Sequence, residues 1–259
     1  MLDVLYEDNH LLAVNKPAML PTMGVAEGSP SLLALAKEYI RRKYGKPGEV
    51  YLGIVSRLDA PVTGVVLMAR TSKAAARLTE MFRERDVEKT YWALVEGRVD
   101  PPSGTLVDFL RKDERHRRMH ITNAAAAGAQ RAELSYRVVI VHKDKETGRQ
   151  GPRRAQPSGD WEKPDANPSP NLPFSLSPGL ASVTLLEIQL HTGRKHQIRV
   201  QLAEAGWPVV GDRKYSGRRP FPTGIALHSR RLTFVHPVRK TPLVIEAPLP
   251  KAWEDFADG

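Results

Sequence analysis

Apolar residues along the chain fall mostly into short runs with a period of two, broken in three places by helical spacing. Val4 to Lys16 reads as two short strands around the polar turn Asp8-Asn9, and Pro17 ends the second. Leu32, Leu35, Ala36, Tyr39 and Ile40 then recur at helical intervals behind a Ser29-Pro30-Ser31 cap, predicting a helix to about Tyr44 that Gly45 closes. A second helix starts at Thr71 or Ser72 and carries Ala74, Leu78, Met81 and Phe82 on one face, with a charged, solvated face opposite. Further strands are expected over Thr90–Val95, over Arg131–His142 with Ala132, Leu134, Tyr136, Val138 and Ile140 on one side, and over Ser182–Leu190 with Thr184, Leu186, Ile188 and Leu190 together. Ile225–Phe234 and Leu243–Ala247 complete the series. Strands outnumber helices and do not alternate with them, so the pattern predicts an α+β fold built on a mixed, largely antiparallel sheet with a few flanking helices.

The 259 residues suffice for one large domain or two small ones. No apolar run is long enough to span a bilayer, and the N-terminus has neither a basic nor an apolar export segment. Cysteine is absent, which removes disulfides and thiolate metal sites and fits a reducing cytoplasm. The net charge of +10 favours polyanionic partners, nucleic acid first and anionic lipid second. Arg111 to His120 concentrates five of the cations, Arg111, Lys112, Arg115, Arg117 and Arg118, against two acids. Its His116/His120 pair has zinc-like spacing. Without Cys or an intervening Glu, and amid those cations, a basic loop facing phosphate or a plain solvated loop is the better reading. Residues 143–181 hold seven prolines and four glycines with almost no aliphatic pattern, and read as a flexible insertion between strands.

Two segments carry candidate chemistry. In Gly53-Ile-Val-Ser-Arg57-Leu-Asp59-Ala-Pro61-Val-Thr63-Gly64, extended alternation puts Arg57 and Asp59 on one side and Leu58 on the other, ahead of the apolar run Val65–Met68. On charge alone a strand-end ion pair on the surface accounts for that pattern better than a site does. In His191-Thr-Gly193-Arg194-Lys195-His196-Gln197-Ile198-Arg199-Val200, a turn at Gly193 leads into a short helix stopped by Gly206. Ile198, Leu202 and Ala205 form its core-facing stripe, and Arg199 falls at the edge. An arginine there calls for a carboxylate partner unless it snorkels to solvent. Asp59, at the head of an apolar strand, is the best candidate.

These segments, with Lys89-Thr90-Tyr91-Trp92-Ala93-Leu94-Val95-Glu96-Gly97 between them, resemble the RluA-type pseudouridine synthases. Weaker agreement lies in Asp8 to Pro17, in Gly211-Asp212 before Tyr215, and in Ala226 to Pro237. The resemblance covers nearly the whole chain outside 143–181. It implies the family fold, a central mixed sheet in two halves with the active cleft between them, in a single catalytic domain over 1–259. The strand-like start at residue 4 leaves no room for the small RNA-binding domain with which many relatives begin. It also implies conversion of uridine to pseudouridine in ribosomal or transfer RNA by a monomeric cytoplasmic enzyme, with no cofactor, metal or membrane. Carried over by motif, Asp59 is the catalytic aspartate, Tyr91 stacks on the target base, Arg199 pairs with the aspartate, and Arg57 helps to replace or hold the flipped nucleotide. Arg194, His196 and Gln197 are implied as further substrate contacts.

The chain departs from the family pattern at Ser56, where His is usual, at Val62-Thr63-Gly64, and at Gln201. Phosphate contacts are expected from the 111–118 segment and from Arg213, Lys214, Arg218 and Arg219; such contacts position RNA without reading it. The chemistry suits these residue types. A carboxylate can act as nucleophile or base, a neighbouring guanidinium favours its ionised form in a dry pocket, and an aromatic face receives a base flipped from its stack. Two rivals stand beside this reading. One is a non-catalytic RNA-binding protein on a synthase scaffold. The other is a hydrolase using Ser56 or Ser229 with His228, which no nucleophile-elbow motif supports.

Overall fold

In the computed structural model, which describes residues 2–26, 28–116, 118–143 and 182–253, eleven strands join one mixed sheet. Strands β1 (Val4–Glu7), β2 (Leu11–Lys16), β3 (Gly53–Ile54) and β4 (Thr63–Ala69) make the first half. Strands β5 (Glu88–Glu96), β6 (Ser103–Asp113), β7 (Arg118–Thr122), β8 (Gln130–Lys143) and β9 (Ser182–Leu190) make the second. Strand β10 (Leu227–Val235) lies between β4 and β5 and carries β11 (Pro242–Glu246) along its outer part. The order is β1-β2-β4-β10-β5-β9-β8-β6-β7, with β3 pairing β4.

Every pairing among the described strands is antiparallel except β10 with β4, where His228 faces Thr63 and Ser229 faces Gly64. This seam is tight. A Cβ on Gly64, whose φ is +107°, would stand 2.2 Å from the Ser229 carbonyl oxygen. The Thr63 hydroxyl and His228 Nδ1 meet across the same step at 2.7 Å.

Strand alternation divides the first half between two helices. Leu12, Val14, Val66 and Met68 pack on Leu32, Ala36 and Ile40 of α1 (Leu32–Tyr44). Their neighbours Leu11, Ala13, Val65, Leu67 and Ala69 pack on Ala74 and Leu78 of α2 (Ser72–Glu84). Both faces are therefore covered, which is why β4 is an unbroken apolar run. Each helix starts where a hydroxyl accepts a backbone N–H, Ser31 from Ala34 and Thr71 from Ala74. In the second half the third helix, α3 (Gln197–Glu204), buries Ile198 and Leu202 against Leu94, Leu134, Leu186 and Ile188.

Three sequence expectations need correction. The segment expected as a basic loop instead has Arg111–Asp113 at the end of β6, a turn over 114–116 and Arg118 at the start of β7. Within 53–64 only Gly53–Ile54 and Thr63–Gly64 are strand. The connecting residues form an irregular loop, so a two-residue period does not set where Arg57, Leu58 and Asp59 point. Lys143 still belongs to β8, and the rest of the expected insertion, 144–181, lies outside the described residues, as does Arg117. Among the described residues no helix is long and apolar enough to cross a membrane.

Candidate active site

A cleft of about 1070 Å³ opens between the two halves of the sheet. Its walls come from the loop before β4, from β5, and from the turn leading into α3, which brings Arg57, Asp59, Tyr91, Arg194, His196 and Arg199 to one place.

The loop that carries Asp59 is tied down at successive residues. Thr22 accepts from the Leu58 N–H at 3.2 Å and donates to the Leu58 carbonyl at 2.8 Å. Lys16, at the end of β2 and with no exposed surface, gives its ammonium to the carbonyls of Pro17, Leu20 and Ala60 at 2.8, 2.8 and 2.9 Å. Burial pushes the Lys16 amine down to about 8, against the opposing pull of the Asp59 charge. The Pro61 carbonyl accepts from Ile225, and Gly224 fits against it in a left-handed conformation (φ +76°), where a Cβ would lie 2.3 Å from that oxygen. Asp59 thus sits on a rigid turn, closed by Val62 N–H to its own carbonyl at 3.1 Å.

Arg199 reaches Asp59 from α3, with Nη1 2.8 Å from Oδ2. It also gives Nε and Nη2 to the two oxygens of Asp212, at 2.6 and 2.9 Å. Arg199 and Asp212 are 6% and 1% exposed in their side chains, whereas Asp59 is 26% exposed and faces the cleft. Burial opposes the charge on Arg199, but the hydrogen bonds and charges of Asp212 and Asp59 outweigh it and hold the guanidinium above its ordinary value. The guanidinium lies over the Tyr215 ring, 5.1 Å from its centroid.

His196 begins α3 in a left-handed conformation (φ 54°). Its Nε2 is 3.6 Å from Asp59 Oδ2, and its Nδ1 is 2.7 Å from the Tyr215 hydroxyl, which accepts from Met119 N–H at 2.9 Å. Burial pushes the imidazole down to about 4, against the Asp59 charge, so the ring is neutral at pH 7. The nearby carboxylate favours the tautomer with hydrogen on Nε2, leaving Nδ1 to accept from Tyr215. Tyr91 rises from β5 with its phenol pushed up to about 12 by burial, and the Asp59 charge adds to that. Its hydroxyl therefore keeps its proton at neutral pH.

The remaining expected residues divide. Arg57 is exposed at the mouth of the cleft. Arg194 lines it too, but its Nε donates to the Arg131 carbonyl at 3.0 Å. Gln197 is buried, and its amide joins the turn together: it accepts from Thr192 Oγ1 and Arg194 N–H and donates to the Glu133 carbonyl. These bonds hold the shape of that turn. Arg111, Lys112, Arg115 and Arg118 belong to the β6–β7 hairpin and do not line the cleft, and Arg213 and Lys214 lie on the turn that presents Asp212 and Tyr215. Sequence reasoning missed three participants: Lys16, Asp212 and Tyr215. Their only signal was weak motif agreement in Asn-Lys-Pro and Gly-Asp-x-x-Tyr.

Among the described residues no three His, Asp or Glu side chains converge as metal ligands, and His116 is paired with Asp113 at 2.7 Å. The Ser–His hydrolase pairing does not form either. His228 Nδ1 faces Thr63, its Nε2 lies 3.4 Å from the Ala247 carbonyl, and no hydrogen bond joins it to Ser229.

Comparison with known proteins places this cleft in context. The description of RNA pseudouridylate synthase matches residues 10–204, a span that holds Asp59, Tyr91 and Arg199. The chain belongs to that family. This RNA pseudouridylate synthase family member is of the RluA type. It is 32% identical to the ribosomal large subunit pseudouridine synthase D of Xylella fastidiosa, over 96% of the chain and 66% of that protein. It is 29% identical to the RNA pseudouridine synthase YhcT of Bacillus subtilis, over 96% of the chain and 69% of that protein. With the tRNA pseudouridine synthase C of Vibrio cholerae it shares 28% identity, over 98% of the chain and 93% of that protein. The chain thus spans about two thirds of the length of the first two relatives. The structure of human RNA pseudouridylate synthase domain containing 4 superposes with a TM-score of 0.67 at 24% identity, covering 96% of this chain and 89% of that one, which shows the shared fold.

Proposed function

We propose that this synthase-family chain isomerises uridine to pseudouridine within structured RNA, ribosomal or transfer, with Asp59 as the reacting carboxylate. The observation that carries the reading is the ion pair between Asp59 and Arg199, set in a cleft with room for a flipped nucleotide, with Tyr91 in the same lining. In the reaction the C1′–N1 bond breaks, the uracil turns, C1′ joins C5, and the proton lost from C5 is balanced by one gained on N1. Asp59 supplies the oxygen, attacking C1′ or C6 as nucleophile or removing a ribose proton as base. Arg199 keeps that oxygen aimed and paired. Tyr91 stacks on the uracil, and its neutral hydroxyl is available to move the C5 proton. Arg57, at the mouth, occupies or braces the gap left in the RNA. The cysteine-free composition supports work in the cytoplasm.

The test is release of tritium from RNA labelled at uridine C5, using RNA from cells that lack this protein. The wild-type chain should release label and form pseudouridine. Asp59→Asn and Asp59→Ala should release none while still binding the RNA. Turnover in either variant would remove Asp59 from the reacting role, and a wild-type chain that binds RNA but releases nothing would leave a binding protein on a synthase scaffold.

A further inference from the structure

Among the described residues three lysine and arginine side chains are deeply buried, and two of them have partners: Lys16 its three carbonyls, Arg199 its two aspartates. Lys89 is the third, 8% exposed; it makes no hydrogen bond or ion pair among the described residues, and its ammonium is not fully enclosed but opens on the cleft. Its ammonium lies 6.0 Å from the Phe82 ring centroid. Burial lowers its proton affinity, and the neighbouring charge that acts on it, Arg85, lowers it further. A largely buried ammonium beside another cation, open only towards the cleft, attracts an anion there.

Lys89 lies on β5 two residues before Tyr91, so both side chains leave one face of the strand, about 7 Å apart, and both line the cleft. Arg85 adds a second oddity. It ends α2 in the left-handed region (φ 69°), the position that Gly45 fills at the end of α1. A side chain at such a position is strained, and glycine would relieve it. The residue nevertheless places a guanidinium at the cleft. Around the whole lining Asp59 is the one acid, against seven lysines and arginines.

Building on the function proposed above, we infer that Lys89 and Arg85 form a phosphate subsite, which holds a backbone phosphodiester of the RNA strand next to the nucleotide stacked on Tyr91. A compact ammonium suits a point contact to one phosphate, with the guanidinium of Arg85 closing over it from the rim. The bound phosphate supplies the missing counter-charge, so the subsite fills only when the strand is seated.

The experiment measures tritium release at sub-saturating RNA over a range of KCl, with C5-labelled total RNA from cells lacking this protein as the probe. Lys89→Met should lower the rate about 10-fold at low salt and flatten the log–log salt dependence by about 0.7 to 0.9, one phosphate contact. It should melt no lower than wild type, because no protein hydrogen bond or ion pair is lost. Lys89→Arg should restore most of the slope. Arg85→Gly, at an exposed position that glycine prefers, should also flatten the slope while melting higher. If the wild type is active and both Lys89→Met and Arg85→Gly keep its slope, the subsite is refuted alone; a lower rate at unchanged slope refutes it in favour of a base or packing contact. A wild-type chain that releases no label removes the catalytic reading and the subsite together.

Discussion

Asp212 takes two of the N–H groups of Arg199, through both carboxylate oxygens, and so leaves Nη1 for Asp59. A fully buried residue therefore sets the direction of the donor that the half-buried carboxylate receives. Asp212→Asn should cost about 3 to 5 kcal/mol in urea unfolding, the usual penalty for breaking one side of a buried pair, and should abolish most pseudouridine formation. The double variant Arg199→Met/Asp212→Leu should regain stability without regaining activity. Equal recovery of both would show that the pair serves the fold alone.

Lys16 joins three carbonyls at the base of the Asp59 loop, one of them on the adjacent residue Ala60. Lys16→Met leaves those oxygens buried without donors while relieving a buried charge, for a net loss of about 1 to 3 kcal/mol. The rate should fall more than the RNA affinity. In the wild type, with the amine at about 8, the rate should decline above pH 8, because a neutral amine has two N–H groups for three acceptors. Unfolding does not cause that decline. The folded state holds fewer protons on Lys16 than the unfolded state between pH 8 and 10.5, so this group's contribution to stability rises there. An alkaline limb that survives in Lys16→Met would assign it to another group.

Tyr91 separates ring from hydroxyl. Tyr91→Ala should weaken RNA binding by about 1 to 3 kcal/mol, the value of one stacked base. Tyr91→Phe should bind as wild type and lose most of its rate. Direct binding assays and tritium release on the same preparations check both, and full activity in Tyr91→Phe would leave only the ring's role.

His228 is fully buried and pushed down to about 4 by that burial, so the folded state keeps it neutral where an unfolded chain would protonate it. Its contribution is complete above about pH 6.5 and is lost as pH falls towards 4, amounting to about 3 kcal/mol. His196 acts in the same direction. Urea midpoints should therefore fall steadily from pH 7 to pH 4.5. His228→Asn should reduce the proton uptake on unfolding by about one in that window; an unchanged uptake would exclude His228 as its source.

The strands and helices with regular periodicity, the cap at Ser31 and the fold class were legible in the sequence, because local patterning and capping chemistry act over a few residues. The sequence also made Asp59, Tyr91 and Arg199 legible as a set, through ordered motifs and through the cost of an arginine on an apolar helix stripe. Only the tertiary structure decided who holds them. The β6–β7 hairpin was hidden because its exposed faces carry charge instead of alternating aliphatics. That the Gln197 amide bonds Thr192 and Glu133 was likewise not legible, since those partners come from the turn and from β8. Lys16 lies 43 residues before Asp59 and Asp212 lies 13 after Arg199, and neither spacing matches any helix or strand repeat. Their partnerships exist because β2, β4 and the segment before β10 converge at the seam between the sheet's halves, a proximity set by chain topology that no local pattern encodes.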